Sequence, residues 1–214
     1  PMNYLAMKQH GGTPEARRPR MIVGPWEHII NTRREAAGVD FGPQAIIDWD
    51  GYVCRWFDYH LKGIDNQVVA DPPVHVFVMG RNQWRAAGDW PLPEAVPTKY
   101  YLHSQGHANS SAGDGLLDTR PPGDEPPDQY TYDPDDPTPS AAFANGHIDG
   151  PRDVSQAAAR PDVLVYSTPV LDQDVEVVGP ISAQLFAATS ARDTDWMVRL
   201  VDVHPDGRAL FLAE

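Results

Sequence analysis

The sequence predicts an α/β segment followed by a mainly antiparallel β-sandwich, and three observations carry that prediction. A short apolar run, "RMIVG" at 20–24, is of the kind buried on both faces of a parallel sheet. The segment after Gly42-Pro43 repeats apolar residues at helical spacing. From about residue 72 the pattern turns to period two, with strand-like runs parted by Pro, Gly and Asp and no helical stretch between them. The expected domains are therefore residues 1–65 and residues 66–214.

Taken in order, "NYLAMKQ" reads as the tail of a helix that Gly11-Gly12 ends. "RMIVG" follows as a strand and runs into Gly24-Pro25-Trp26-Glu27-His28. Beyond that loop a helix is expected over 43–61. Ile46, Trp49, Tyr52/Val53, Trp56/Phe57 and His60/Leu61 line one side, Pro43 opens the first turn, and Lys62-Gly63 closes it. The later runs "VHVFVM", "TKYYL", "DVLVYS", "DVEVVG", "ISAQLFAA", "DWMVRLVDV" and "RALFLA" read as strands. Residues 114–153 form a Pro-rich insert with ten acidic residues against two Arg, a loop long enough to be functional or a surface wrap. No internal repeat is visible.

Bulk chemistry excludes several classes. The 214 residues carry 17 Lys and Arg against 30 Asp and Glu, a formal net charge of -13. Nucleic acid and anionic membranes need a basic face, so neither is an expected partner. No apolar run approaches the length of a membrane span, and "PMNYLAMKQHGG" lacks the parts of a signal peptide. That favours the cytoplasm slightly. The start on Pro1 and the stop at Glu214 inside a strand-like run read as cut ends. The single cysteine, Cys54, rules out an internal disulfide and a Cys-based zinc cluster.

His28 is the candidate for chemistry. In α/β-hydrolase sheets the working groups lie beyond the carboxyl ends of strands, and the triad histidine comes last, before a closing helix. His28 has that setting, and its role would be to take the serine proton as general base and return it to the leaving group. The plainer reading is a polar loop residue.

A resemblance strengthens the first reading. "MIVGPWEH" followed by "FGPQAIIDWDGYVCRWFDYHLKG" resembles the closing segment of the X-Pro dipeptidyl-peptidase and cocaine-esterase-like serine hydrolases. In that family a "GPW-x-H" stretch carries the triad histidine and a "RWFD-x-x-LKG" helix follows. "PPVHVFVMGRNQWRAAGDWPLP", "YTYDPDDPTP" and the run from "RPDVLVYSTP" to "VHPDGRA" resemble the family's entry into its jelly-roll domain, its Tyr-Asp-Pro loop and its jelly-roll portion. One departure is "PTPSAAF", where family members often place glycines. The resemblance implies the end of an α/β-hydrolase fold over 1–65 and a jelly-roll β-sandwich over 66–214. It also implies a nucleophilic Ser on a Gly-x-Ser-x-x-Gly-like elbow and an Asp in "GW-[YF]-D", both upstream of the histidine. Neither motif is present. Ser104 and Ser182 do not sit in such turns, and Glu15 and Asp40 lie on the wrong segments.

Other candidates have plainer explanations. Trp26 reads as an aromatic packed beneath the histidine loop. Cys54 reads as a buried inert thiol rather than a nucleophile paired with His28 or His60. His103 and His107 have zinc-pair spacing, but Gly106 and "KYYL" argue against the helix that spacing needs. "YDPDDP" at 132–137 is acidic enough for calcium but lacks the binding-loop pattern. Trp84, Trp90 and Trp196 form either a sugar-stacking platform or packing against the first domain, with packing favoured. "GGTPEAR" is not a phosphate loop, and no cofactor or metal is expected.

The expected function is thus the C-terminal part of a serine hydrolase cleaving acyl esters or amides, or X-Pro dipeptides. Its partner is a small-molecule ester, amide or peptide substrate. The alternative is a non-catalytic β-sandwich module binding carbohydrate or a partner domain. The apolar side of "MIVG" and of the following helix is expected to be exposed, which makes a homo-oligomer a further expected partner state.

Overall fold

The computed structural model describes residues 1–27, 33–139 and 151–214. They form mainly β-sheet with few helices, which is compatible with a β-sandwich for the later part of the chain. Two compact units emerge, residues 1–95 with 176–181 and residues 96–175 with 182–214. No helix among the described residues is long and apolar enough to cross a membrane.

In the first unit, α1 (Met2–His10) ends where expected, at Gly11. Glycine is needed there for space rather than for a left-handed turn. A Cβ would lie 2.8 Å from the Met7 carbonyl oxygen and 2.9 Å from the Ala16 backbone, while φ is -52°. Tyr4, the one buried residue of α1, faces Asp89, which also pairs with Lys8.

Strand β1 (Met21–Val23) is parallel, as its composition predicts, but its burial falls along its length. Met21 is buried and Val23 exposed. Its neighbour is β4 (Val74–Val78), which also pairs antiparallel with β5 (Gln83–Ala87), giving a mixed sheet of order β1-β4-β5. Val74 and Val76 point from β4 into a cluster with Tyr4, Met21, Trp90 and Leu92. Phe77 points the other way, into a cluster with Ala36, Phe41 and Ala45. The expected boundary at 65/66 thus falls inside this unit.

Between β1 and β4 the chain makes a hairpin of β2 (Glu35–Ala36) and β3 (Val39–Asp40). Its turn residues Ala37 and Gly38 both have positive φ, the geometry that suits right-handed strand twist. The helix expected over 43–61 is shorter. Pro43–Ala45 is a single 3-10 turn, Ile46 is extended, and α2 spans Trp49–Lys62. Asp48 decides this, because its carboxylate accepts the Gly51 amide at 3.0 Å and caps the helix there. Gly63, left-handed at φ 70°, closes it. No residue of α2 is buried, and Phe57 and Leu61 are exposed. Cys54 is exposed too, contrary to the expected buried thiol, because it turns to the helix's open side. The Arg20 guanidinium donates to the Val68, Asp71 and Pro72 carbonyls and lies over the Trp56 ring, tying α2 to the approach to β4.

The second unit holds two antiparallel pairs. Strand β6 (Tyr101–His103) pairs with β7 (Leu116–Asp118), and β8 (Leu200–Val203) pairs with β9 (Ala209–Ala213). A short helix, α3 (Ser155–Ala158), precedes a tight segment that bridges back through Leu164 and Ser167 to Asn109 and Leu116. "DVLVYS" therefore contributes isolated bridges rather than a strand. "DVEVVG" and "ISAQLFAA" form no ladder among the described residues, and Val177, Ile181 and Phe186 are exposed. Alternation marks two faces of an extended chain, but a strand also needs a neighbouring edge to take its amide bonds. The insert after residue 114 is not bare loop, since it contains β7.

Candidate functional site

The route to His28 is built from packing. The carboxyl end of β1 leads into Gly24, where a Cβ would lie 2.5 Å from the Trp26 ring, so only glycine lets that indole fold back. The Trp26 indole N–H donates to the Ala45 carbonyl at 2.7 Å, and its ring lies 5.6 Å from that of Trp84. Trp84 donates in turn to the Gln44 carbonyl at 2.7 Å and packs edge-on to Phe77 at 5.3 Å. Glu27 accepts the Ala37 amide at 3.4 Å. Trp26 and Glu27 are thus fixed on the sheet and the β2–β3 hairpin. His28 lies outside the described residues.

The aromatic candidates divide accordingly. Trp84 and Trp90 are engaged in packing within the first unit, Trp90 in the core cluster and Trp84 against Trp26 and Phe77. Trp196, in the second unit, stays exposed beside Tyr130 at 6.4 Å.

The second unit has a polar centre that the sequence did not reveal. The His103 ring lies between two acceptors, Nδ1 at 2.7 Å from Glu125 Oε1 and Nε2 at 2.9 Å from the Arg120 carbonyl. Glu125 also accepts the Ser104 amide at 3.2 Å. Buried Ser104 donates its hydroxyl to Asp128 at 2.6 Å, and Tyr166 donates to the same oxygen at 2.6 Å. The other Asp128 oxygen takes the Ala108 amide at 2.8 Å. Burial alone would raise Asp128, but these three donors outweigh it and hold the carboxyl below its ordinary range. Burial and the Asp128 carboxylate push the Tyr166 phenol up. Ser104 spends its hydroxyl hydrogen on the Asp128 carboxylate, a base too weak to activate it, so this centre is structural rather than nucleophilic.

The metal candidates reduce to ordinary chemistry. His107 is largely exposed and 3.8 Å from Asp114, while His103 is on a strand and already bonded. No group of three or more ligating side chains suited to a metal occurs among the described residues. In the acidic loop, Asp133 accepts the Asp135 amide at 2.9 Å as a turn, and Asp136 pairs with Arg160 at 3.1 Å.

Residues 66–214 match the X-Pro dipeptidyl-peptidase C-terminal non-catalytic domain, and the chain belongs to that family. It is similar to the cocaine esterase of Rhodococcus sp., 45% identical over 202 residues that cover 91% of this chain and 35% of the relative. A putative serine esterase of Mycobacterium bovis is 32% identical over 204 residues, covering 91% of this chain and 30% of the relative. A putative Xaa-Pro dipeptidyl-peptidase of Bacillus anthracis matches at 38% over 56 residues, 26% of this chain and 9% of the relative. The chain spans about a third of the length of the first two. The family context is therefore that of serine esterases and peptidases, and residues 66–214 are its non-catalytic C-terminal part.

Proposed function

We propose that this chain is the C-terminal segment of a serine hydrolase that cleaves acyl esters or amides, or X-Pro dipeptides, through an acyl-enzyme. Residues 1–65 are the closing end of an α/β-hydrolase domain, and residues 66–214 a jelly-roll sandwich that shapes the acyl pocket without taking part in bond-making. His28 is the general base. It takes the hydroxyl proton of a serine supplied by another part of the polypeptide as that oxygen attacks the carbonyl, then gives the proton to the departing alcohol or amine. In the second half-reaction it takes a proton from water as that oxygen attacks the acyl carbon, then gives the proton to the serine oxygen as the acyl–serine bond breaks, which frees the acid and restores the serine.

The observation that carries this reading is the packing before His28. A strand in parallel pairing ends on Gly24, and the Trp26 clamp fixes the backbone two residues ahead of the histidine. Similarity to an esterase along 91% of the chain supports the choice of chemistry, and the family match beginning at residue 66 supports the division into domains.

The test uses the full-length protein and its His28→Ala variant, with a p-nitrophenyl acyl ester, an Ala-Pro anilide and a fluorescent fluorophosphonate. Turnover falling by about four to six powers of ten in the variant is the expected result. The reporter that the parent prefers distinguishes esterase from peptidase. Unchanged turnover would remove His28 from the chemistry. No labelling and no turnover in the parent would favour a module that binds carbohydrate or a partner domain.

A further inference from the structure

The second unit contains a joint that depends on one proton. Residues 119–127, "TRPPGDEPP", leave β7 and contain four prolines, which have no amide N–H to offer a neighbouring strand. What fixes this stretch to β6 is side-chain chemistry centred on His103. Its Nε2 faces the Arg120 carbonyl, which can only accept, so Nε2 must carry a hydrogen. Its Nδ1 then faces Glu125 Oε1 at 2.7 Å. A bond between a ring nitrogen and a carboxyl oxygen requires one proton between them, whichever atom holds it. With that proton gone, a lone pair faces a carboxylate and the contact becomes repulsive.

We propose that the proton shared by His103 and Glu125 is a pH-operated latch that holds residues 119–125 against β6. The latch forms one wall of an open pocket of about 360 Å³, lined by His103, Leu116, Arg120, Pro121 and Glu125. Releasing it therefore changes the shape of that pocket as well as the path of the chain. Neighbouring charges do not substitute for the proton. On β7, Asp118 is bonded to the Arg120 guanidinium at 2.6 Å, and that guanidinium is turned out to solvent. Asp114, just before β7, takes the Gln105 amide at 3.0 Å, and Asp128, beyond β7, takes the Ser104 hydroxyl and the Ala108 amide.

The direction of the pH effect follows from both partners. The bond to Glu125 raises His103 above its ordinary 6.5, with the Arg120 carbonyl adding to the effect and burial opposing it. The same bond to His103 holds Glu125 below its ordinary 4.5. A raised histidine stabilises fully below 6.5 and stops doing so as pH climbs through its folded value. A lowered carboxylate stabilises fully above 4.5 and stops as pH falls through its folded value. The latch is complete between those limits and opens on the alkaline side.

Hydrogen–deuterium exchange of the full-length protein reads this at the Ser104 amide, which donates to Glu125 Oε2. Exchange is measured at about pH 6 and about pH 9, corrected for intrinsic rates and normalised to the Val76 amide in β4. Protection at Ser104 is expected to fall roughly two- to fivefold between the two, the scale of a partly exposed ion pair. In Glu125→Gln the amide N–H₂ can donate to a neutral His103 Nδ1 and the amide oxygen can still accept from Ser104, so the parent's fall in protection towards pH 9 should vanish and the alkaline side should stay flat. His103→Gln, which does not titrate, should be equally flat. Protection in the parent that does not change with pH would overturn the proposal. So would either variant that keeps the parent's pH dependence.

Discussion

The two compact units are held together by different physics. In the first, aromatic and aliphatic side chains do the work. Tyr4, Met21, Val74, Val76, Trp90 and Leu92 form one cluster, and Phe41, Phe77, Ala36 and Ala45 another, on opposite faces of the same strand. In the second, carboxylates collect the donors. Asp128 gathers Ser104, Ala108 and Tyr166, Glu125 gathers His103 and Ser104, and Asp136 and Asp162 share Arg160. Apolar burial is insensitive to pH in the range where carboxylates and histidines titrate, whereas a carboxylate-centred knot depends on it. The two apolar clusters of the first unit, which draw on residues 74–92 of the family's non-catalytic part, are thus indifferent to pH, whereas the knots at Asp128 and Glu125 in the second unit are not.

The largest expected effect tests the apolar side of that contrast. Trp90 is buried against Val74, Val76 and Leu92. Trp90→Ala removes the biggest side chain of the cluster and leaves a cavity that the β-sheet cannot close, costing about 3–5 kcal/mol. Urea unfolding should show this loss at about pH 6 and about pH 9 alike. A loss that varied strongly with pH would mean that the first unit also depends on titrating groups.

A smaller and pH-dependent effect is expected at Asp128. Asp128→Ala leaves the Ser104 and Tyr166 hydroxyls and the Ala108 amide without their shared acceptor and should cost about 1–3 kcal/mol. Because the folded carboxyl lies below its ordinary 3.8, its contribution is present above that value and is lost as pH falls through the folded one. Parent and variant should therefore converge in strong acid. Urea midpoints taken across the acid range check this, and a constant difference at every pH would show that the knot acts through packing rather than through charge.

The same contrast explains which features could be read in the sequence. Helix ends, the parallel strand and β4 were legible because each rests on local composition, as in Gly11 after α1, "MIV", and the alternation of Val74, Val76 and Val78. The start of α2 was misread because apolar spacing continues through Ile46, whereas the Asp48 cap decides where helical bonding begins. The runs near 174–188 were misread because alternation says nothing about whether an edge is there to pair with. The polar knot was not legible at all. Its partners are 22, 24 and 38 residues apart and include a serine, a tyrosine and acids drawn from a stretch that resembles an acidic loop. His28 stood out through its neighbours and a family resemblance, and the structure accounts for Trp26 and Glu27 beside it.

The smallest expected effect lies where neither kind of interaction operates. Lys62 and Asp58 form an i,i+4 pair at 2.6 Å on α2, with the lysine side chain largely in water. The bond to Asp58 raises Lys62, yet water competes for both partners and their long side chains lose freedom in holding one geometry. The helix end does not need the pair, since Gly63 and Ile64 already return their amides to the Tyr59 and Asp58 carbonyls at 3.1 Å. Lys62→Met keeps the apolar stem and removes only the charge. The urea midpoint should stay within error of the parent, at low and at high salt. A drop as large as that of Asp128→Ala would show that a surface pair on the first unit matters as much as the half-buried knot of the second, and the division between the two units would then fail.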